Sequence, residues 1–519
     1  MEAEYKQSLL KSALLGIIFY FSQKKSYKLG IIQKQSVKGL FYAYGGAVLG
    51  FITTGYLMPR FLQTDQIGLL RIIVSYASLL AQFSGLGFSI VVVKMFPFFR
   101  DQKTRHHGFM GLFLLVSLVG FIITMLIFQF YQAYFMQEQL QKSELLHHYF
   151  YWVAPLTIFI LLYNIGDTLY RSLFDAVKGM VLKEMLQRLL ILIALALFLL
   201  GYIGFDNFAN YYFLAFAAAP LLLFYSLWKE NQIRLKPDFS FITKSIRKQI
   251  SNIAIFGLIS SFSGILVLNI DVLMVERFLG LSQAGIYTIT FFFGALILIP
   301  SRPVTRISSI IIAESFKNHD LKNIDFIYRK SSITLTVISF WVFLGLLVNM
   351  DNIMLIIGEN YRSGYYVILL IGLANVVDMT TGVVNQIIFN SNIYRYSSYM
   401  IGVFAILIVL TNLIFIPIYG IIGAAMATFI SKAIYNVSKI AVVKTKLNLF
   451  PYTIKSVLPI VFSLFAFFIQ YWIPPFSNFI IDILMRSTIV SAAYLGPVII
   501  FKVSSDINSW VSKISNTLK

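Results

Sequence analysis

A chain of 519 residues with no cysteine, 58% hydrophobic and 12% charged residues and a mean hydropathy of +0.79 lies outside the composition of soluble globular domains. The absence of cysteine excludes disulfides, thiol catalysis, iron–sulfur clusters and cysteine-ligated zinc. The net charge of +20 would suggest nucleic acid in a soluble protein; here it must first be read against the apolar runs. In chain order, residues 9–22 come first, apolar but with Lys11 inside and Lys24 and Lys25 behind. That run is too short to span a bilayer and lacks the layout of a signal peptide, so an interfacial helix is expected. Fourteen candidate membrane spans follow, at 39–58, 67–93, 108–131, 149–170, 189–204, 208–228, 250–275, 284–307, 332–350, 365–389, 396–416, 420–442, 457–473 and 478–501. The fifth is short, and Met185 is an alternative start.

Assigning Lys and Arg to alternate sides of these spans puts 34 on the side of the N-terminus and 4 (Arg60, Lys142, Arg277 and Arg362) on the other. Arg71, Arg302, Arg306 and Arg486 fall inside spans. Because cytoplasmic loops retain positive charge, this asymmetry implies an even number of spans and two cytoplasmic termini. Anionic lipid headgroups then become the main partner of the charge, and nucleic acid is not expected. The five histidines flank apolar runs or lie in a charged loop, which reads as solvated interface and not as a metal site. No Walker-type phosphate loop and no loop large enough for a soluble catalytic domain is present, so a transporter, channel or scaffold is expected and an enzyme is not.

The chain repeats itself. Arg60-Phe61-Leu62-Gln63-Thr64-Asp65-Gln66-Ile67-Gly68 and Arg277-Phe278-Leu279-Gly280-Leu281-Ser282-Gln283-Ala284-Gly285 share five of nine residues at an offset of 217. Asn164-x-x-Asp167 in the fourth span returns as Asn375-x-x-Asp378 in the tenth. Both echoes lie six spans apart. Six is even, which gives two parallel six-helix lobes around a central cleft, the geometry of alternating access. The expected organisation is an N-terminal segment (1–36), two lobes (37–249 and 250–449) and a two-helix appendix with a cytoplasmic tail (450–519), all of it α-helical.

With this layout, the segment Asp271-Val272-Leu273-Met274-Val275-Glu276-Arg277-Phe278-Leu279-Gly280, continuing through Gln283-Ala284-Gly285-Ile286-Tyr287, and the segment Tyr419-Gly420-Ile421-Ile422-Gly423-Ala424-Ala425-Met426-Ala427-Thr428 resemble the polysaccharide-flippase branch of the multidrug/oligosaccharidyl-lipid/polysaccharide exporter superfamily. The resemblance covers about residues 37 to 505. It implies a multi-pass protein of the bacterial inner membrane that flips an undecaprenyl-pyrophosphate-linked oligosaccharide for O-antigen, capsule or exopolysaccharide assembly. It also implies a polysaccharide polymerase or other assembly proteins as partners. The competing readings are a multidrug or metabolite cation antiporter of the same superfamily and a peptidoglycan-precursor flippase. A membrane-embedded glycosyl polymerase or ligase is a different class.

Ionisable residues inside spans are the place to look for a transport path. Arg302 and Arg306 lie one helical turn apart, with Pro300 and Pro303 bracketing the first. Their forked donors suit a pyrophosphate, and the alternative is that both reach out to headgroups. Arg71 is expected to face the other lobe across the cleft, as a third substrate contact. In the tenth span Asn375, Asp378, Gly382 and Asn385 read as one polar stripe, which Asn164, Asp167 and Arg171 echo in the fourth. Asp378, with no Lys or Arg within a turn of its own span, is the first candidate to bind a coupling proton or sodium ion, and Asp167 the second. The alternative is an interhelical hydrogen-bond network, with Asp167 paired to Arg171. Beyond that ion no cofactor is expected.

Overall fold

The computed structural model describes residues 31–135, 143–173, 175 and 177–518. The expected interfacial helix at 9–22 and the loop residue Lys142 lie outside them. The described residues form helices and connecting turns without a strand. In chain order the helices that matter below are α1 (Ile31–Gly50), α2 (Thr64–Ser84), α3 (Phe88–Phe99), α4 (Phe109–Phe135), α5 (Val153–Ser172), α6 (Arg188–Leu199), α7 (Phe205–Lys229) and α8 (Lys244–Leu279). After them come α9 (Leu281–Ala295), α10 (Ser301–Lys317), α11 (Leu321–Val348), α12 (Tyr365–Thr380), α13 (Val384–Asn390), α14 (Tyr394–Leu447), α15 (Leu458–Ile469), α16 (Phe479–Ile500) and α17 (Ser505–Leu518).

Among the described residues eleven helices are long and apolar enough to cross a membrane. Length and apolarity alone therefore do not reproduce the fourteen expected spans, because helix breaks redistribute them. The longest helix, α14, holds the eleventh and twelfth spans and bends at Gly420, whose φ of +61° and ψ of −139° no helical residue adopts. The first span continues α1 through a π-helical segment, Phe51–Leu57. The fifth starts earlier than expected, at Lys178, and passes through a second π segment, Leu182–Gln187, before α6. Lipid exposure is written on α4, where Leu118, Ile122, Leu126 and Phe130 recur every fourth residue and all stand exposed. In water such a stripe would be an aggregation surface; in a bilayer it meets acyl chains. The chain is a multi-pass membrane protein.

The second and eighth spans both break part-way along. α2 ends at Ser84 and α3 resumes at Phe88; α9 passes through a 3₁₀ turn at Leu296–Leu298 and resumes, after Pro300, as α10. Between these helices lies the first echo, and its two copies touch. A Cβ on Gly68 would lie 2.0 Å from the carbonyl oxygen of Leu281, and one on Gly285 only 1.7 Å from that of Thr64. Leu281 stands 217 residues after Thr64, as Gly285 does after Gly68, so the crossing of α2 and α9 is a pseudo-two-fold contact in which each copy packs on the other. Hydroxyls of Thr64 and Ser282 share a 2.7 Å hydrogen bond there. Any side chain at either glycine would force the helices apart. At the far end of α2 the two halves differ: the turn before α3 seats Gly87 against the backbone of Ala254 and Gly257 in α8, whereas α10 packs on α11 and α13.

Candidate functional site

Below the α2–α9 crossing lies a cavity of about 310 Å³ lined by Arg71, Tyr212, Asp271, Tyr287, Thr288 and, from the π segment of the first span, Thr54. Its polar residues come in pseudo-symmetric pairs with one charge each. Arg71 stands 217 residues before Thr288, and Thr54 the same distance before Asp271. One half contributes a guanidinium and the other a carboxylate, each opposite a threonine. Nη2 of Arg71 donates to the carbonyl oxygen of Leu268 on α8 at 3.2 Å, which holds the charge at the boundary between the halves.

Asp271 is buried and makes no ion pair among the described residues. Its Oδ1 accepts from Nδ2 of Asn412 at 2.7 Å, and its Oδ2 accepts from the Tyr287 hydroxyl at 3.1 Å and from the Thr428 hydroxyl. These donors come from α9 and from both arms of α14. Oδ1 of Asn412, buried beside the carboxylate, has no hydrogen-bond partner among the described residues. A carboxylate, an amide oxygen and two hydroxyl oxygens are hard ligands that suit a proton or a sodium ion.

Next to the cavity is a second, apolar pocket of about 410 Å³, lined by Phe51, Phe293, Trp341, Leu346, Ile353 and Ile483. It draws on the first span, α9, α11 and α16, and its neighbouring residues Phe292 and Thr54 belong to the polar cavity.

The structure disperses the expected site residues. Arg302 and Arg306 sit on α10 outside the cavity: Arg302 is exposed, and Nη1 of Arg306 lies 2.4 Å from where a Cβ on Gly39 of α1 would stand. Neither has an acidic partner among the described residues, so two unneutralised guanidiniums flank the junction of α1 and α10. Asp167 is paired with Arg171 at 2.9 Å on its own helix, with half-buried Asn164 one turn before it.

Asp378 departs from the expectation of an isolated carboxylate. Lys439 and Lys432 of α14 approach it to 3.5 and 3.9 Å. Lys432 also donates to Oδ1 of Asn375 at 2.6 Å, and Nδ2 of Asn375 donates to the Gly294 carbonyl of α9 at 3.0 Å. Pairing was invisible along the sequence because the partners come from another helix. Both lysines belong to the twelfth span and not to the basic loop after it, which leaves 32 charges against 4. Nor is the polar stripe of the tenth span continuous. Gly382, at φ +63°, breaks the helix between α12 and α13, so Asn385 stands on a separate helix from Asn375 and Asp378.

Asp271, Lys432, Lys439, Thr54 and Tyr212 were not among the expected site residues. The signal for the first three was present, since each is ionisable and falls within an apolar run. Thr54 and Tyr212 carry no such mark.

Comparison with known proteins agrees with this architecture. The probable low-salt glycan biosynthesis flippase Agl15 of Haloferax volcanii is 24% identical over 223 residues, 41% of this chain and 47% of the relative, so the match spans about half of that protein. Among solved structures, the lipid II flippase MurJ in an inward closed conformation superposes with a TM-score of 0.70 at 15% identity, over 89% of this chain and 98% of that one. An inward-facing multidrug resistance MATE family transporter of the MOP superfamily gives a TM-score of 0.59 at 13% identity, over 84% and 98%. At such identities the likeness is one of fold. The family of polysaccharide biosynthesis proteins matches residues 38–301, just over half of the chain, and the chain belongs to that family.

Proposed function

We propose that this protein is a flippase that carries a lipid-linked oligosaccharide across a membrane by ion-coupled alternating access. The observation that carries the reading is the cavity between the repeated halves, with a guanidinium from one half, a carboxylate from the other and an apolar pocket beside it. A lipid-linked glycan has three chemistries: polar sugar, anionic phosphate and a long apolar tail. Arg71 meets the phosphate in the cavity, Arg302 and Arg306 receive it at the junction of α1 and α10, and the apolar pocket takes the first isoprenoid units. The finer form of the reading is an undecaprenyl-pyrophosphate carrier in a bacterial inner membrane, with both termini cytoplasmic and the glycan destined for O-antigen, capsule or exopolysaccharide.

Coupling falls to Asp271 and no longer to Asp378, which two lysines already neutralise. A proton or sodium ion at Asp271 removes a negative charge from the cavity wall as the phosphate enters, so ion and substrate do not compete for one site. Asp167, held by Arg171, and Asn164 serve the packing of the first half; Asn375 and Asn385 flank the break that ends α12.

The test is flux in proteoliposomes of a short oligosaccharide on polyprenyl pyrophosphate, with and without a proton or sodium gradient. Flux should exceed that of protein-free vesicles, Arg71→Ala should lower it at least tenfold, and Asp271→Asn should remove its dependence on the gradient. Vesicles that take up a cationic dye in exchange for ions, yet leave the glycolipid where it was, would overturn the reading in favour of a drug antiporter.

A further inference from the structure

The coupling reading leaves two lysines of α14 without a task, and their geometry gives them one. Asp271, Asp378, Lys432 and Lys439 form a group of two carboxylates and two ammoniums within the second half of the repeat. Lys439 is 1% exposed and sits on Asp378 at 3.5 Å, with its Nζ over the ring of Tyr435. Lys432 stands beside one carboxylate and one helical turn from the site of the other. It follows Thr428, whose hydroxyl bonds Asp271, by one helical turn, a rise of about 6 Å. Its Nζ rests on Asn375 at 2.6 Å and reaches Asp378 only at 3.9 Å.

We infer that Lys432 is the relay that links ion occupancy at Asp271 to the conformation of the eighth span, by exchanging partners between Asp271 and Asn375. This rests on the coupling role of Asp271 proposed above. With Asp271 ionised and empty, the four charges balance only if Lys432 serves it, since Lys439 already serves Asp378. With a cation on Asp271, the attraction is gone and Lys432 turns to Asn375, the arrangement seen here. Asn375 passes the event on. Its Nδ2 holds the carbonyl of Gly294, two residues before the 3₁₀ turn at which α9 gives way to α10. A Cβ on Gly294 would lie 2.8 Å from Ile371, so α9 and α12 have no slack at this point and a moved Asn375 is felt by α9. Beyond the break, α10 carries Arg302 and Arg306. The relay therefore runs from the ion site to the two arginines that meet the phosphate. The ionisable groups of this cluster and the adjoining cavity wall are Asp271 on α8, Tyr287 on α9, Asp378 on α12, Lys439 and Tyr435 on α14, and Arg71 on α2.

The experiment needs no glycolipid. Phe61 and Phe278, exposed and equivalent by the repeat, flank the α2–α9 crossing, and the chain has no cysteine to interfere. Spin labels on Phe61→Cys and Phe278→Cys in the full chain in nanodiscs report the distance between halves, with sodium replaced by choline in one arm and the pH varied at fixed sodium in the other. The parent should shift its distance distribution with one of the two ions, and Asp271→Asn should abolish the shift. Lys432→Met should also abolish it while still binding the effective ion, more tightly than the parent because no ammonium competes for Asp271, and Lys432→Arg should keep it. An unchanged shift in Lys432→Met overturns the relay alone; an unchanged shift in Asp271→Asn, or a parent that responds to neither ion, overturns the coupling reading beneath it. If Lys432→Met is not recovered as a monodisperse protein, Asn375→Asp decides, because a carboxylate there holds Lys432 in place and should raise the ion concentration at the midpoint of the shift at least tenfold or lower it by as much. An unmoved midpoint overturns the relay.

Discussion

The same four-residue motif, Asn-x-x-Asp, occurs in the fifth and the twelfth helix of this protein, and the two copies have opposite fates. In α5, Asp167 takes its partner from its own helix, Arg171, one turn away and half exposed. In α12, Asp378 has no partner on its helix and draws Lys432 and Lys439 from α14. A pair within one helix stabilises that helix and says little to its neighbours. A pair between helices fixes their relative position, and in a low-dielectric interior it cannot lose one member without leaving the other uncompensated.

The contrast is sharpest in the carboxamide variants. Asp378→Asn strands Lys439, which is 1% exposed, and should destabilise the fold by about 3–5 kcal/mol. Asp167→Asn strands Arg171, which is half exposed, and should cost under about 1 kcal/mol. Thermal unfolding of both purified variants, followed by size-exclusion chromatography after heating, measures the difference; equal losses would mean that the cross-helix pair is no more than a local one. The symmetric part of the repeat should break symmetrically. Gly68→Ala and Gly285→Ala each place a methyl within 2.0 Å of a carbonyl oxygen on the opposite helix, so both should slow disulfide formation between Thr64→Cys and Ser282→Cys several-fold. A strong effect from only one of them would show that the crossing is not the two-fold contact described here.

A smaller effect tests the parallel orientation on which the comparison rests. Cysteines at Lys236 and Arg362 should be labelled from opposite sides of the membrane, because the loops that hold them are separated by an odd number of expected spans. Labelling of both by an impermeant reagent from one side would undo the alignment of the halves. Smallest is the contribution of a loop carboxylate outside the membrane. Asp238 is held below the usual carboxylate range, first by the Ser240 hydroxyl and then by His107, whose ring also stacks on Phe241 at 3.9 Å. A depressed folded-state value contributes stability above the unfolded value, near about 3.9, and loses it as pH falls through the folded one. The thermal midpoint of Asp238→Asn should therefore sit slightly below the parent's from pH 5 to 8 and merge with it as pH falls through the folded-state value. A gap that widens on acidification would reverse the sign and remove the interaction.

Much of the architecture was legible in the chain. Apolar runs and the offset of 217 are properties of one-dimensional order, and a bilayer translates them almost directly into spans and repeats. The crossing of α2 and α9 was marked by the very residues that repeat, because close helix approach requires glycine at the point of contact. Helix breaks at Gly382 and Gly420 were less legible: a left-handed glycine and a helical one are the same letter. The candidate site was least legible of all. Arg71 could be placed on the cleft, but Asp378 looked solitary, and Asp271 passed as part of a packing motif. What makes Asp271 a candidate ion site is the arrival of Asn412, Tyr287 and Thr428, residues 141, 16 and 157 positions away, around one carboxylate. Hydropathy and charge order are summed along the chain and so survive in the sequence; a buried ionisable group is defined by what surrounds it within a few ångströms, and in this protein only the packing of separate helices decides that.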